Sequence, residues 1–115
     1  MPPHTQTPRP TDIIEAAERV RELLDAISLE AFEADWQRQW LVERGLEIIS
    51  KASRHLAPEL KDRHQNIPWK KVAGIGNVLR HDYGNVAAPI IWALVKENLP
   101  ELERVCRKEL AAGGP

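Results

Sequence analysis

The chain has 115 residues, a length that fits one domain with a core of modest size. Its formal net charge of −1 argues against a protein that holds long nucleic acid by bulk charge alone, although a local basic patch is compatible with it. The single cysteine, Cys106, excludes an internal disulfide, and no apolar run approaches the roughly 18 residues that span a membrane. Because the first residues also lack the apolar stretch of a signal peptide, we expect a cytoplasmic protein.

The first predicted elements are a flexible arm and a helix. Residues 1–11 contain four prolines and no periodicity, which predicts an extended or disordered arm. A helix is predicted over residues 12–27, because Asp12 with Glu15 three residues later forms the capping-box pattern. Behind this cap, apolar residues recur at steps of four and three: Ile13, Ala17, Val20, Leu24 and Ile27.

A longer second helix is predicted over residues 29–56, with Ser28 as its cap and Pro58 just beyond its end. Its apolar face is predicted from positions at helical spacing: Phe32, Trp36, Trp40, Val42, Gly45, Ile49, Ala52 and Leu56. The polar stretch 59–66 that follows is predicted to be a loop with room for one helical turn.

The third predicted helix opens at residues 67–69, with Pro68 near its first turn, and ends at the break Tyr83-Gly84-Asn85. It carries Gly74 and Gly76 in its interior, and each costs about 1 kcal/mol relative to alanine there. We expect compensation through the close approach of another backbone or of a ligand.

Two further helices are predicted over residues 86–97 and 100–111, separated by Asn98-Leu99-Pro100, and residues 112–115 are expected to fray. No segment shows the alternation of a strand, so the fold class is all-α. Four or five helices of this length predict an up-and-down bundle, with a single domain over residues 12–111.

Polar side chains that could carry chemistry gather near the end of the third helix. Asn77 lies one helical turn before His81, and Arg80 and Tyr83 flank the histidine. A histidine can act as general acid or base near neutral pH, and an arginine can stabilise a phosphate. Such a centre suffices for metal-independent RNA cleavage, in which the 2′-hydroxyl attacks the neighbouring phosphorus. The alternative is a helix C-cap, in which Arg80 and His81 favour the helix dipole and Tyr83 packs.

The other histidines have less distinctive surroundings: His4 in the arm, His55 near the end of the second helix and His64 in the polar loop. The sequence has no phosphate-cradling glycine loop, no HExxH, no CxxC and no nucleophile elbow, so we expect neither a cofactor nor a metal. A solvated face explains the acidic residues of the first helix better than a metal site does: Glu15, Glu18 and Glu22.

The segment from Ile67 to Tyr83, IPWKKVAGIGNVLRHDY, resembles the signature of the HepT-like proteins of the HEPN superfamily. The resemblance extends over about residues 12–105 and includes other matching positions: Phe32, Asp35, the run Leu46-Glu47-Ile48-Ile49, Ile91-Trp92 and the run 98–102. It implies an HEPN-like helical bundle that forms a homodimer and acts as the RNase toxin of a prokaryotic toxin–antitoxin pair. The implied partner is a minimal nucleotidyltransferase, encoded nearby, which neutralises the toxin by adding AMP to a motif tyrosine.

The family motif is Arg, four residues, His, one residue and Tyr, and two copies of it meet across the dimer cleft. By position, the resemblance makes His81 the motif histidine, Tyr83 the AMP acceptor and Asn77 the polar residue after the motif arginine. The motif arginine itself falls on Gly76, and Arg80 is the candidate replacement. Since one step along a helix rotates a side chain by about 100°, we expect positions 76 and 80 not to point the same way.

A second departure lies in the second helix, where Ser50-Lys51 stands in place of the family's usual Gly-Glu. The chain could therefore be an active variant with a relocated arginine, a weakened toxin, or a non-catalytic dimer that binds a nucleotidyltransferase, nucleotide or RNA without cleavage. A further alternative is a structural helical dimer with no site. Four tryptophans fit either a core or an interface: Trp36, Trp40, Trp69 and Trp92.

Overall fold

The structure of the chain is a computed structural model that describes residues 10–81 and 88–112, with the backbone alone at positions 80 and 81. Within these residues every regular element is helical, which confirms the all-α prediction. In chain order the elements are α1 (Pro10–Asp25), α2 (Leu29–Glu33), α3 (Trp36–Arg54), α4 (Pro58–Arg63), α5 (Trp69–His81), α6 (Ala88–Ala93), a π-helical turn (Leu94–Asn98) and α7 (Leu99–Ala111).

Helix α1 lies at the centre of the packing and contacts both α3 and α7. On its other side α3 packs against α5, while α6 packs against α2. Four members of the predicted apolar stripe are buried, as helical spacing requires: Ile13, Ala17, Val20 and Leu24. The fifth, Ile27, is partly buried and lies beyond the end of α1 at Asp25, so the predicted end at residue 27 is wrong. Burial of each larger side chain in this core contributes roughly 1.5–3 kcal/mol, so the stripes of α1, α3 and α7 are the main source of stability.

The crossing of α1 and α3 depends on Gly45. A Cβ atom added at this position would overlap the Cγ2 atom of Val20, which is itself buried. The glycine therefore lets the two helices approach more closely than a side chain would allow. This close approach explains why a residue with poor helix propensity stands in the interior of α3.

The second helix was predicted to run without a break from residue 29 to residue 56, and this prediction is wrong. The chain turns at Ala34 and Asp35, and the Asp35 carboxylate then caps α3 by accepting the Arg38 backbone N–H at 2.9 Å. Ser28 caps the short α2 in the same way, since its hydroxyl accepts the Ala31 N–H at 3.1 Å. Two caps thus produce two helices where the apolar pattern alone predicted one.

The break at Asp35 also separates residues that were predicted to share one apolar face. Phe32 is fully buried and its ring lies 5.8 Å from that of Trp92. Trp36 and Trp40 are 57% and 54% exposed, and their rings pack edge to face with centroids 4.8 Å apart. These two tryptophans therefore cover the outer surface of α3 and are not part of the core.

Several other boundaries differ from the predicted ones. Helix α1 begins at Pro10, so Asp12 lies in its first turn and does not precede it. The polar stretch after α3 contains a six-residue helix, α4. The rest of the predicted arm, the predicted break at residues 83–85 and the end of the tail lie outside the described residues.

A break was also predicted at Pro100, but the helical path continues through it. The π-helical turn precedes the proline, and the Leu99 N–H donates to the Leu94 carbonyl, five residues back. A wider turn tolerates a residue that has no N–H and whose ring crowds the preceding turn. No helix within the described ranges is both long and apolar enough to cross a membrane.

Candidate functional site

The candidate site lies on α5, whose start is fixed by the side chain of Trp69. The indole N–H of Trp69 donates to the carbonyl oxygens of His64 at 3.0 Å and Lys61 at 3.2 Å. Both carbonyls belong to the end of α4 and the turn after it. The first residue of α5 is therefore held against the preceding helix.

The same turn is tied to α7 through the buried carboxylate of Glu109, which His64 and the more exposed Arg63 contact. His64, which is 8% exposed, places its Nε2 atom 2.7 Å from a carboxylate oxygen of Glu109. Arg63 donates to the same carboxylate with Nε at 3.1 Å and with Nη2 at 2.5 Å. These bonds, from Arg63 above all and then from His64, lower the pKa of Glu109 to about 2. The sequence placed His64 in a polar loop, but the structure gives it a buried structural position.

The middle of α5 is held by Ser50 of α3. The buried Ser50 hydroxyl donates to the Ala73 carbonyl at 2.7 Å and accepts the Gly76 backbone N–H at 3.1 Å. Serine hydroxyls inside helices commonly bond to their own backbone, whereas this one joins two helices. Ser50 is therefore a direct link between the core helix α3 and the helix that carries the candidate residues. Its departure from the family pattern is the one sequence signal that singled it out.

The two glycines of α5 have different surroundings. Gly76 is buried beside Ser50, so its cost in helix propensity is offset by contact with another helix. Gly74 lies on the other side of α5, and a Cβ atom added there would meet none of the described residues within 4 Å. The neighbour at Gly76 is therefore a side-chain hydroxyl and not the backbone or ligand that the sequence led us to expect, and among the described residues the space at Gly74 is open.

A pair of carboxylates lies on the same face of α3 as Ser50, at positions that sequence analysis did not single out. Glu43, Glu47 and Ser50 follow one another at steps of four and three, which places them on one stripe of α3, and Ser50 is the member of this set with a hydrogen bond to α5. Burial, and then the charge of Glu47, raises the pKa of the half-buried Glu43. Glu43 therefore keeps its proton to a higher pH than an ordinary glutamate does.

Comparison with known proteins identifies the family. The family described as "Ribonuclease HepT-like" matches residues 13–109. The chain belongs to the HepT-like ribonuclease family. It is 38% identical over 92 residues to "Probable ribonuclease HepT" of Thermococcus cleftensis, covering 80% of this chain and 84% of that protein. It is 36% identical over 107 residues to "Putative RNase TTE0752" of Caldanaerobacter subterraneus subsp. tengcongensis, and the match covers 91% of this chain and 96% of that protein. No solved structure matches the chain.

The HepT-like motif positions fall on one uninterrupted helix. Asn77 is exposed, and the His81 position follows it by one turn. Arg80 follows Gly76 by one turn as well, so positions 76 and 80 are about 40° apart around the helix axis. The expectation that these two positions face different ways is therefore wrong. Tyr83 lies outside the described residues.

Proposed function

We propose that this HepT-like chain is a metal-independent endoribonuclease and the toxin of a prokaryotic toxin–antitoxin pair. The observation that carries the proposal is the continuity of α5, which sets Asn77 and the His81 position one turn apart at its end. The match to two relatives named as ribonucleases covers 96% and 84% of their lengths. This similarity supports the same class of reaction for the chain. In the described part of the chain nothing resembles a membrane span, in keeping with a cytoplasmic toxin.

The proposed reaction is transesterification of RNA. The 2′-hydroxyl attacks the adjacent phosphorus, the bond to the 5′-oxygen breaks, and the products carry a 2′,3′-cyclic phosphate and a 5′-hydroxyl. His81 takes the proton of the 2′-hydroxyl or gives one to the leaving 5′-oxygen. Arg80 stabilises the charge that develops on the phosphoryl oxygens, and Asn77 orients the histidine or the substrate. Position 80 suits the role of the missing arginine because it lies one turn from position 76 on the same side of α5.

We propose that the active form is a homodimer in which two motifs face one cleft. Support comes from the outer face of α3, which exposes large apolar side chains that a monomer leaves in contact with water. They are Trp36, Trp40, Leu41 and Ile48. Light scattering at micromolar concentration should give twice the chain mass, and a monomeric mass would contradict the dimer.

The proposed regulation is covalent. A nucleotidyltransferase antitoxin transfers AMP from ATP to the Tyr83 hydroxyl, which forms a bond to the α-phosphorus and releases pyrophosphate. The intact mass of the chain, co-expressed with a neighbouring nucleotidyltransferase, should increase in steps of one AMP. The added mass should disappear in Tyr83→Phe, and its persistence would assign the modification to another residue.

The test of the nuclease uses the purified chain and a labelled single-stranded RNA. We expect products with cyclic phosphate ends and a loss of about 100-fold or more in rate for His81→Ala, the usual contribution of a general acid or base. His55→Ala is the matched control, since His55 is an exposed histidine at the end of α3. Cleavage or growth toxicity that survives His81→Ala would contradict the proposed role.

A second candidate function follows from one observation, the glycine at the motif arginine position. Under this alternative the chain is a non-catalytic dimer that binds the nucleotidyltransferase, a nucleotide or RNA without cutting it. Arg80→Ala separates the two functions, because it abolishes cleavage if Arg80 has replaced the motif arginine. RNA that stays intact with the wild-type chain, at concentrations where binding is complete, favours the alternative.

A further inference from the structure

The solvent-facing side of α5 carries positive charge without any negative charge. The segment Trp69–His81 contains no aspartate or glutamate. Its first turn instead holds Lys70 and Lys71, both of which are exposed. Cations at a helix N-terminus oppose the helix dipole, so the stability of α5 does not explain them. By contrast, the helix dipole does explain Lys51 and Arg54, because they lie in the last turn of α3, where a cation is stabilising.

Among the residues that the structure describes, these lysines also differ from most arginines in having no carboxylate partner. Six arginines of the described residues pair with acidic side chains: Arg21, Arg38, Arg44, Arg63, Arg104 and Arg107. Over residues 10–81 and 88–112, neither Lys70 nor Lys71 forms an ion pair. Their charges are therefore available to a ligand.

Lys70 belongs to a stripe that ends at the proposed active site. Gly74, Asn77 and the His81 position follow it at steps of four, three and four, and all lie within about 40° of it around the helix axis. We call these four residues the α5 stripe. It spans about 16 Å along the axis, a length that a few nucleotides of a single strand can cover.

The middle of the α5 stripe has no side chain, because the residue there is Gly74. The open space over Gly74 lets a ligand backbone lie directly on the helix, the usual reason for a glycine at such a position. Cations at one end, an exposed amide at Asn77 and the histidine position at the other end match a chain of phosphates and riboses.

We propose that the α5 stripe, with Lys71 beside it, is the binding track for the RNA substrate. Phosphates on one side of the scissile bond lie against Lys70 and Lys71, the ribose-phosphate backbone crosses Gly74, and the scissile phosphate lies at His81. This inference rests on the proposed nuclease function, because it names the surface along which the substrate of that site lies. It explains how a chain of net charge −1 holds a polyanion, since the charge is local.

The test measures binding without cleavage. The probe is a fluorescein-labelled, fully 2′-O-methylated single-stranded RNA of mixed sequence, which lacks the attacking hydroxyl, and anisotropy is recorded over a range of salt concentrations. We expect Lys70→Gln/Lys71→Gln to weaken binding on the order of tenfold near 0.1 M salt and to flatten the salt dependence, because each lost phosphate contact removes about 0.7 from the slope of log K against log salt.

The matched control is Arg19→Gln/Lys108→Gln. It removes the same charge from exposed cations of α1 and α7, and these too lack an ion-pair partner within the described residues. The control should bind RNA as the wild type does. Equal loss in both double variants would show that net charge alone matters and would overturn the track.

Gly74→Leu tests the bare middle of the α5 stripe with a change that should not harm folding. Leucine favours a helix and no atom of residues 10–81 and 88–112 that the structure describes lies within 4 Å of its Cβ, so thermal stability should stay level or rise. RNA affinity should nevertheless fall several-fold, because the side chain fills the space assigned to the RNA backbone. Wild-type affinity in this variant would overturn the inference.

The outcomes separate this inference from the nuclease proposal. A wild-type chain that binds the probe through Lys70 and Lys71 but cuts no RNA supports the track and contradicts the nuclease. Cleavage that is unaffected in Lys70→Gln/Lys71→Gln supports the nuclease and contradicts the track. A change of mass by light scattering in that variant, without a change in RNA affinity, would instead assign this face to a second copy of the chain.

Discussion

Ser50 and Ser53 are both buried on α3, yet their hydroxyl groups do different things. The Ser53 hydroxyl donates to the Ser50 carbonyl at 2.7 Å, within its own helix. The Ser50 hydroxyl bonds to α5, at Ala73 and Gly76. The two residues thus form a natural comparison between a hydrogen bond that connects helices and one that does not.

Ser50→Ala should destabilise the chain by about 1–2 kcal/mol, because it removes two hydrogen bonds at a site that water does not reach. Ser53→Ala should cost less, since the lost bond is local and alanine is the better helix former. Urea unfolding gives both values. Amide hydrogen exchange is the more specific measurement. The Gly76 N–H should exchange faster in Ser50→Ala but not in Ser53→Ala. Equal protection of this N–H in both variants would contradict the hydrogen bond between Ser50 and Gly76.

At the scale of the helices, the same substitution should have opposite effects at two glycines. Gly74→Ala should stabilise the chain by up to about 1 kcal/mol, because its Cβ meets open space and alanine favours a helix. Gly45→Ala should destabilise it by about 1–3 kcal/mol, because the new methyl group overlaps Val20 and forces α1 and α3 apart. Thermal or urea unfolding measures both.

The control for this comparison is Gly45→Ala combined with Val20→Ala. Removing the Val20 methyl groups takes away the overlap, so the double variant should lose less than the two single losses added together. Strict additivity would mean that the cost at Gly45 has another origin.

The helices themselves were predictable where periodicity decides them. The stripe from Ile13 to Leu24 identified the buried face of α1, because spacing alone sets that face. The break at Asp35 was not predicted, since a cap competes with continuation of a helix and the apolar pattern is compatible with both. The continuous path into Pro100 was missed for a related reason: a π-helical turn relieves the crowding that normally ends a helix there.

At the scale of the whole molecule, the cluster of Arg63, His64 and Glu109 joins the start of α5 to α7. It also makes the free energy of unfolding decrease at acidic pH. The pKa of Glu109 is about 2 in the folded chain and 4.5 as an ordinary glutamate. Its contribution to stability is therefore complete above about pH 4.5 and is lost as the pH falls toward 2. Glu101, whose pKa is also about 2, adds to the same decline.

Glu109→Gln should lower the melting temperature at pH 6 and make it fall less steeply between about pH 4.5 and 2, because the titrating group has been removed. The decline should not vanish, since Glu101 remains. Glu22→Gln, which changes an exposed carboxylate of α1, should keep the wild-type dependence. A wild-type slope in Glu109→Gln would exclude the cluster as the source.

The candidate site was predictable as a set of residues along the chain and not as an arrangement in space. Asn77, Arg80 and His81 could be singled out because they lie within five positions of one another on one helix. The contacts that hold this helix join distant residues: Ser50 to Gly76, 26 positions apart, and His64 to Glu109, 45 positions apart. Only tertiary packing brings such pairs together, so no local pattern predicts them.

The contact between Ser50 and Gly76 makes the effects of substitutions at the two positions depend on each other. The hydrogen bond between the two residues joins the positions at which the sequence was expected to depart from the pattern it resembles. An arginine restored at position 76 would leave from buried backbone beside the Ser50 hydroxyl, so its effect depends on the residue at position 50. The effects of Ser50→Gly and Gly76→Arg on stability should therefore be non-additive, which a double-mutant cycle measures.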